Sequence, residues 1–359
     1  MEGGSPAAMN LLALLALIGG LALAPALIYI LIIWWLDRYE KEPLGLAALA
    51  FVWGATPAIL LALIFEIVLG IPFADAGVVG DFSQGSVVAP IVEEGTKGII
   101  LLVLFLAYRH EFDDVLDGIL YGALVGLGFS VVENVVYGFR FAFPDGYAPG
   151  LQPDLNGVIT GWFLRSGLFG LNHAFFTSIT GATLGYLRAN PGVRSRIGLP
   201  LLGLAGAIGF HSLHNTLVSV GEIAGEGAAL LGCGISLFTD WAGISVLLVV
   251  ALIAGTRERR WIETHLREEV AVGRFSPGEY QMLISARRRW LARMDTLTRE
   301  GWGAFRRLGR LQQLATELAF RKQQVLTDPT SPWKGHDIQV LRARIDDLHR
   351  RMAGPARAA

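Results

Sequence analysis

The chain has 359 residues, of which 53% are hydrophobic, and a mean hydropathy of +0.48. Apolar runs of about 18 residues or more recur along it, which excludes an ordinary soluble domain. The net charge of −1 conceals a split: residues 1–255 hold 9 Lys/Arg and 19 Asp/Glu, and residues 256–359 hold 21 and 12. The single cysteine, Cys233, excludes an intramolecular disulfide and a cysteine-based zinc site.

The pattern predicts an all-α protein: a polytopic bundle of about seven transmembrane helices over residues 1–255, then a soluble helical tail over residues 256–359. The first apolar run has no basic residues ahead of it, so we interpret it as a membrane helix and not as a cleaved signal. The predicted spans are 10–35, 45–70, 86–108, 116–139, 166–188, 198–219 and 228–254.

The loops between these spans alternate in charge. Arg38 and Lys41 follow the first span, whereas the loop over residues 71–85 contains acidic residues and no Lys or Arg. The positive-inside rule therefore predicts a multi-pass plasma-membrane protein with its N-terminus outside and its basic tail in the cytoplasm. The tail is expected to meet the lipid bilayer, and no nucleic-acid partner is expected, because no nucleic-acid-binding motif accompanies its charge.

Four of the predicted spans carry polar or ionisable groups in their interiors, where such groups are costly and mark candidate functional sites. The candidate residues are Glu93, Glu94, Lys97, Glu133, Asn134, His173, Thr177, His211 and Asn215. At 1.5 Å per residue, the groups on all four spans lie about 9–12 Å below the outer boundary. A shared depth favours one polar cavity that opens outward.

Carboxylates and imidazoles together are the groups that activate water in hydrolases. Glu93 and Lys97 are four residues apart and share a helix face, so the lysine can pair with a carboxylate. The same residues leave other interpretations open: a buried ion pair that only joins helices in a membrane scaffold, or a proton relay in a transporter. Two histidines and a glutamate could also hold zinc, the candidates being His173, His211 and Glu133.

At these residues the chain resembles the PrsW family of intramembrane proteases, which is related to the CAAX prenyl endopeptidases and to the gamma-secretase scaffold subunit. The resemblance covers about residues 30–220. Its matching pieces are Asp37-Arg38-Tyr39-Glu40-Lys41-Glu42-Pro43, Glu93-Glu94-Gly95-Thr96-Lys97, Asp117-Gly118-Ile119, Gly126-Leu127-Gly128-Phe129, Glu133-Asn134, His173 and His211 to Asn215.

The resemblance implies hydrolysis of a peptide bond in or near the transmembrane segment of a membrane-anchored substrate, an anti-sigma factor being the family's substrate class. It also implies Glu93 as the base that activates water, Glu94 as a supporting carboxylate, and His211 with Asn215 as the oxyanion hole. The CAAX group has histidine where this chain has Glu133, so His173 is the candidate for the missing imidazole. No cofactor is expected to be required, and a zinc-dependent variant stays open.

The tail is predicted to form amphipathic helices over about 257–272, 303–326 and 336–352. A further helix is predicted to begin at Ser276-Pro277-Gly278-Glu279 and to continue through Arg287-Arg288-Arg289-Trp290; serine suits the N-cap, proline the first helical position and glutamate the third.

Overall fold

The structure, a computed structural model, describes residues 10–39, 41–73, 75–109, 111–190, 192–327 and 334–353. All regular elements of these residues are helical, which confirms the predicted all-α class. The α-helices are α1 (Leu11–Leu36), α2 (Leu44–Trp53), α3 (Ile59–Gly70), α4 (Gly77–Ser83), α5 (Ala89–Ala107), α6 (Val115–Ala142), α7 (Leu155–Trp162), α8 (Asn172–Ala189), α9 (Gly198–Ala224), α10 (Glu226–Ala271), α11 (Pro277–Leu283), α12 (Ala286–Glu300), α13 (Trp302–Thr327) and α14 (Lys334–Ala353).

The chain divides into two compact units. The first, here the membrane unit, comprises the segment that ends at Trp35, Pro43–Ala189 and Val193–Ala251. The second, here the tail unit, comprises Leu36–Glu42, Asn190–Gly192 and the segment that begins at Leu252. The short segment after α1 therefore belongs with the C-terminal residues, which its sequence did not indicate.

Four helical stretches are long and apolar enough to cross a membrane, judged by length and composition over the described residues. They are Leu11–Leu36, Leu44–Gly70, Val115–Ala142 and Glu226–Ala271. The other three predicted spans coincide with α5, α8 and α9. These three helices are less apolar because they carry most of the candidate polar residues.

Two predicted spans are interrupted where the sequence suggested continuous α-helix. The second span widens into a π-helical turn at Gly54–Ala58, which contains Pro57. Proline has no amide hydrogen and cannot continue the regular backbone ladder, so a wider turn is a common accommodation. The predicted fifth span, 166–188, begins inside a π-helical segment, Phe163–Leu168, and α-helix resumes only at Asn172. His173 therefore lies in the first turn of α8 and not in mid-helix.

The predicted separation of the last span from the first tail helix is wrong. A single helix, α10, runs for 46 residues from Glu226 to Ala271. Residues 255–257 are Gly-Thr-Arg, and one glycine without a proline costs a helix only about 1 kcal/mol. The start of α11 is confirmed, since the Ser276 hydroxyl accepts from the Glu279 amide at 3.2 Å and Glu279 Oε2 accepts from the Ser276 amide at 2.8 Å. Its predicted continuation through Trp290 is wrong, because α11 ends at Leu283 and Ser285 caps a new helix, α12.

Close packing of α6 on α8 sets the position of His173. A Cβ added at Gly126 would lie 2.2 Å from the His173 carbonyl oxygen, and one at Gly118 would lie 2.0 Å from the Gly181 carbonyl oxygen. Such contacts allow glycine only, as in other close pairs of membrane helices. Glycine spacing along α6 therefore brings the start of α8 directly beside it.

Candidate active site

A lysine lies at the centre of the polar core of the membrane unit. Lys97 Nζ is 3.0 Å from Glu93 Oε2, 2.9 Å from Glu94 Oε1 and 3.0 Å from His173 Nδ1. The side chain of Lys97 is fully buried, and its Nζ lies 3.8 Å from the centroid of the Phe129 ring. An ammonium donates three hydrogen bonds and accepts none, so Nδ1 of His173 is an acceptor here. Lys97 thus balances two carboxylates and fixes one imidazole.

The other nitrogen of His173 joins α8 to α6. His173 Nε2 lies 2.7 Å from Glu133 Oε2, and Arg165 Nη2 lies 2.8 Å from the same oxygen. Arg165 Nε also donates to Asn134 Oδ1 at 3.0 Å. Since Nδ1 of His173 accepts from Lys97, Nε2 carries the hydrogen and donates it to Glu133. The ring is therefore held in one tautomer from both sides.

Glu94 is saturated by donors from three helices. Its Oε1 also lies 3.1 Å from His211 Nδ1, and its Oε2 accepts from the Thr177 hydroxyl at 2.9 Å. An ionised carboxylate only accepts, so His211 Nδ1 carries the hydrogen and His211 Nε2 keeps its lone pair. That Nε2 lies 3.9 Å from Glu93 Oε2. The ring of His211 stacks on Phe176 at 4.9 Å between centroids.

A cavity of about 680 Å³ opens onto this centre. Glu93, Glu133, His173 and His211 line it, whereas Glu94 and Lys97 lie behind them. No described residue is within hydrogen-bond distance of Glu93 Oε1. Glu93 is therefore the paired carboxylate that can reach a water or a substrate in the cavity.

The structure joins most of the sequence-predicted residues in one network and leaves one outside it. Asn134 belongs to it through Arg165, and it also donates to Ser166 Oγ at 3.1 Å. Asn215 lines the cavity, but its Nδ2 donates to the Gly85 carbonyl at 2.8 Å and not to the central groups. The arrangement thus does not pair Asn215 with His211 as the predicted oxyanion hole would require.

Two charged residues of the core were not predicted from the sequence. Arg165 pairs with Glu133, and Asp240, which is buried within α10, pairs with His214 at 2.7 Å. Asp240 could have been predicted as a functional candidate, because it is the single acidic residue inside the predicted seventh span. The partner of Arg165 could not be inferred from spacing, because it lies 32 residues away on another helix.

The centre has the donor set of a divalent metal site. One ligand atom from each of Glu93, Glu94, His173 and His211 lies within 4.8 Å of the others. Imidazole and carboxylate are ligands that zinc accepts. Each imidazole also has a carboxylate on its second nitrogen, the arrangement that orients metal-bound histidine. The residues fit zinc, and the Lys97 ammonium competes with it for the same ligand atoms. Glu133, a candidate ligand from the sequence, lies on the far side of His173 and outside this set.

Together, the fold and the centre define a helical membrane protein with a carboxylate–imidazole–ammonium site at its core. A family model described as PrsW family intramembrane metalloprotease matches residues 42–256, and the chain belongs to that family. No solved structure matches this chain significantly.

Curated relatives agree with the family model. A protease PrsW of Clostridioides difficile (strain 630) is 35% identical over 33% of this chain and 49% of its own length. A protease PrsW of Bacillus subtilis (strain 168) is 32% identical over 38% and 63%, and one of Shouchella clausii (strain KSM-K16) is 30% identical over 45% and 75%. The chain thus spans between about half and two thirds of the first two relatives.

Proposed function

We propose that this protein is an intramembrane endopeptidase that hydrolyses a peptide bond with water activated by Glu93. The observation that carries the proposal is the placement of Glu93: it is buried among apolar helices, paired with Lys97 and open to the cavity through its second oxygen. A carboxylate in this setting can take a proton from water held beside a substrate carbonyl.

The neighbouring groups then have distinct roles. Glu94 positions His211 and Lys97, because its three hydrogen bonds leave it no access to the cavity. Lys97 is the cation nearest Glu93 and balances its charge through the 3.0 Å contact, while Nε2 of His211, 3.9 Å from Glu93 Oε2, lies on the same side of the cavity wall. Glu133 holds His173 on the cavity wall.

A zinc-dependent form of the same protease is the second candidate, and the donor set favours it. His173 through Nδ1, His211 through Nε2 and Glu93 would hold the ion. Bound zinc lowers the pKa of water and polarises carbonyl groups. In both forms, Glu94 and Glu133 orient the two imidazoles through the nitrogens that face away from the ligand.

The substrate that we propose is a membrane-anchored protein with one apolar span, such as a membrane-anchored anti-sigma factor. The membrane topology proposed with it has seven spans, the N-terminus outside and the tail in the cytoplasm of a plasma-membrane protein. Reporter fusions at the loops 71–85, 189–197 and the C-terminus test this topology; an external C-terminus would overturn it.

Cleavage of single-span peptides by the purified full chain in lipid tests the function. The probe is a set of synthetic peptides with one apolar span of about 20 residues and a fluorophore and quencher on either side. Wild type is expected to cleave at least one peptide, and Glu93→Gln is expected to lose about 10³-fold or more in rate, since the base is gone.

Glu66→Gln is the matched control, because Glu66 lines the same cavity outside the central network. Its cleavage rate is expected to stay within about threefold of wild type, a small change in the activation barrier.

Addition of a chelator, and then of zinc, separates the two chemical forms of the protease. A loss of cleavage with chelator that zinc restores favours the metal-dependent form. Correctly folded protein that cleaves none of the peptides would instead favour a non-proteolytic membrane scaffold, in which the network only joins helices.

A further inference from the structure

A second buried polar cluster lies in the membrane unit, beside the central network. It joins α8, α9 and α10 through Asn172, His214, Ser236 and Asp240. Asp240 Oδ2 lies 2.7 Å from His214 Nδ1, 2.9 Å from Asn172 Nδ2 and 3.1 Å from Ser236 Oγ. Asp240 is 1% exposed, and a carboxylate buried at this depth is costly, which makes it a candidate functional residue. The proposed hydrolysis uses none of these four residues.

The cluster fixes the orientation of the His214 ring. Because the Asp240 carboxylate accepts only, the hydrogen on His214 Nδ1 points at it. Ser236 Oγ lies 2.8 Å from the same nitrogen. A nucleophilic serine instead needs the imidazole nitrogen opposite the carboxylate, so these residues do not form a serine-protease triad. The edge of the ring is held by Phe169 at 5.0 Å between centroids.

His214 presents its other nitrogen to the site described above. The residue lines the same 680 Å³ cavity as Glu93, and no described residue is hydrogen-bonded to its Nε2. His173 is engaged at both nitrogens, and His211 is engaged at Nδ1 with its Nε2 turned toward Glu93. Of the three imidazoles that the described residues place on the cavity wall, His214 is the one whose nitrogen is free of the central network.

Hydrolysis of an amide needs a proton donor as well as a base. Water adds to the carbonyl carbon as Glu93 takes one of its protons. When the carbon–nitrogen bond then breaks, its electron pair stays on nitrogen, and this nitrogen must gain a proton to leave as an amine. Within the described part of the chain, the remaining charged groups on the cavity wall are Glu66, Arg140 and Arg165. The two arginines stay protonated at all relevant pH values, and Arg165 is paired.

We propose that His214 is a further catalytic residue, whose Nε2 donates this proton to the leaving nitrogen, with Asp240 as its positioning residue. The inference rests on the proposed endopeptidase function. The imidazolium becomes neutral as the amine forms and regains its proton from solvent through the cavity, while Glu93 returns its proton to water. Asp240 orients the ring and stabilises its cationic form, as a carboxylate does for a catalytic histidine elsewhere.

The test compares two leaving groups in one peptide. One probe keeps the scissile amide that wild type cleaves, and the other has sulfur in place of its nitrogen. A thiol has a pKa of about 8.5 and leaves as thiolate without a donated proton. His214→Gln in the full chain in lipid is expected to lower the amide rate by about 100-fold and the thioester rate by less than about threefold. The fall in amide cleavage above the pH optimum is expected to disappear in this variant.

Asp240→Asn and Ser245→Ala complete the comparison. Asp240→Asn is expected to slow the amide and spare the thioester, because the ring is then no longer held in the right tautomer. Ser245, on the same helix, donates to the Trp241 carbonyl at 2.7 Å, away from the cluster, and its variant should match wild type on both probes. Equal losses on both probes in His214→Gln, or none on either, would overturn the inference while wild-type cleavage upheld the proposed function. Wild type inactive on both probes would overturn both.

Discussion

Nε2 of His173 lies 2.7 Å from Oε2 of Glu133, which joins the start of α8 to the middle of α6. The two residues are 40 positions apart, and each is unusual in an apolar helix. The imidazole beside Glu133 thus comes from another helix, α8, and Glu133 holds it at Nε2.

Glu133→Gln tests this relationship. Glutamine keeps the shape and can still accept from His173 Nε2, but it loses the charge that pairs with Arg165 at 2.8 Å. Peptide cleavage is expected to fall about 10- to 100-fold, as for other groups that orient a functional histidine. The measurement is the initial rate on the peptide that wild type cleaves. Arg140→Gln, which removes a charge from the same helix and cavity wall, is the control, and a Glu133→Gln rate equal to it would contradict the prediction.

Lys97→Met tests competition between an ammonium and a metal. Lys97 Nζ lies within 3.0 Å of atoms from three of the four potential ligands, so zinc cannot use those atoms while it is there. Removing the ammonium also leaves two carboxylates without their counter-ion, which favours another cation. Zinc affinity is expected to rise at least about tenfold, or about 1.4 kcal/mol.

Zinc content after equilibrium dialysis against a zinc buffer measures the effect, with size-exclusion chromatography to check folding. Adding His211→Ala to Lys97→Met is expected to abolish the gain, because it removes a ligand of the set. Tighter zinc binding that survives this second substitution would place the ion elsewhere. An unchanged zinc affinity in Lys97→Met would show that the ammonium does not compete.

The parts of the site that lie within one helix could be predicted from the sequence. Glu93 and Lys97 share a face at any position of α5, and their 3.0 Å contact follows from that spacing. The Ser276 cap could be predicted for the same reason, since its partner lies three residues away. Polar residues within apolar runs identified the remaining helices of the centre, because burial there is costly.

Contacts between helices could not be predicted in the same way. Asp240 meets His214 and Asn172 only because α8, α9 and α10 lie together, and a single sequence does not specify those neighbours. The position of His173 in the first turn of α8 depends on a bend at Gly170, where a Cβ would lie 2.2 Å from the Ser166 carbonyl oxygen. Tertiary packing, not local propensity, decides these features.

Gly126→Ala tests the contact that brings α8 to α6. The added methyl group would lie 2.2 Å from the His173 carbonyl oxygen, and a backbone atom cannot yield as a flexible side chain does. We expect a loss of about 2 kcal/mol or more in stability, together with lower peptide cleavage as His173 is displaced. Gly209→Ala in α9 is the matched control, since a methyl group added there would meet no described atom of another helix within 4 Å. Thermal unfolding in detergent measures both; equal melting temperatures would contradict the packing argument.

Glu269 in the tail unit gives a prediction of pH dependence. It lies beyond the apolar part of α10, is fully buried, and accepts from Lys322 at 2.9 Å and from Arg342 Nη2 at 2.6 Å. Burial alone would raise the pKa of its carboxyl, but hydrogen bonds from Arg342, Lys322 and Arg274 outweigh it and lower the pKa to about 2. The unfolded chain has a pKa of about 4.3 for glutamate.

Because the folded-state pKa is the lower one, ionised Glu269 stabilises the tail unit above about pH 4.3, and this contribution is lost as the pH falls from there toward 2. Glu269→Gln is expected to cost about 3 kcal/mol at pH 7, since it leaves buried cations unpaired, and about half as much at pH 3, where part of this contribution is already lost. To measure the difference, the full chain in detergent is incubated at a series of urea concentrations and then treated briefly with a protease. The urea concentration at which residues 256–353 become cleavable reports the stability of the tail unit. Glu263→Gln, which removes an exposed pair with Arg259 at 2.8 Å, should cost less than about 1 kcal/mol. A Glu269→Gln cost that stayed the same at pH 7 and pH 3 would contradict a stabilising role for the ionised carboxylate.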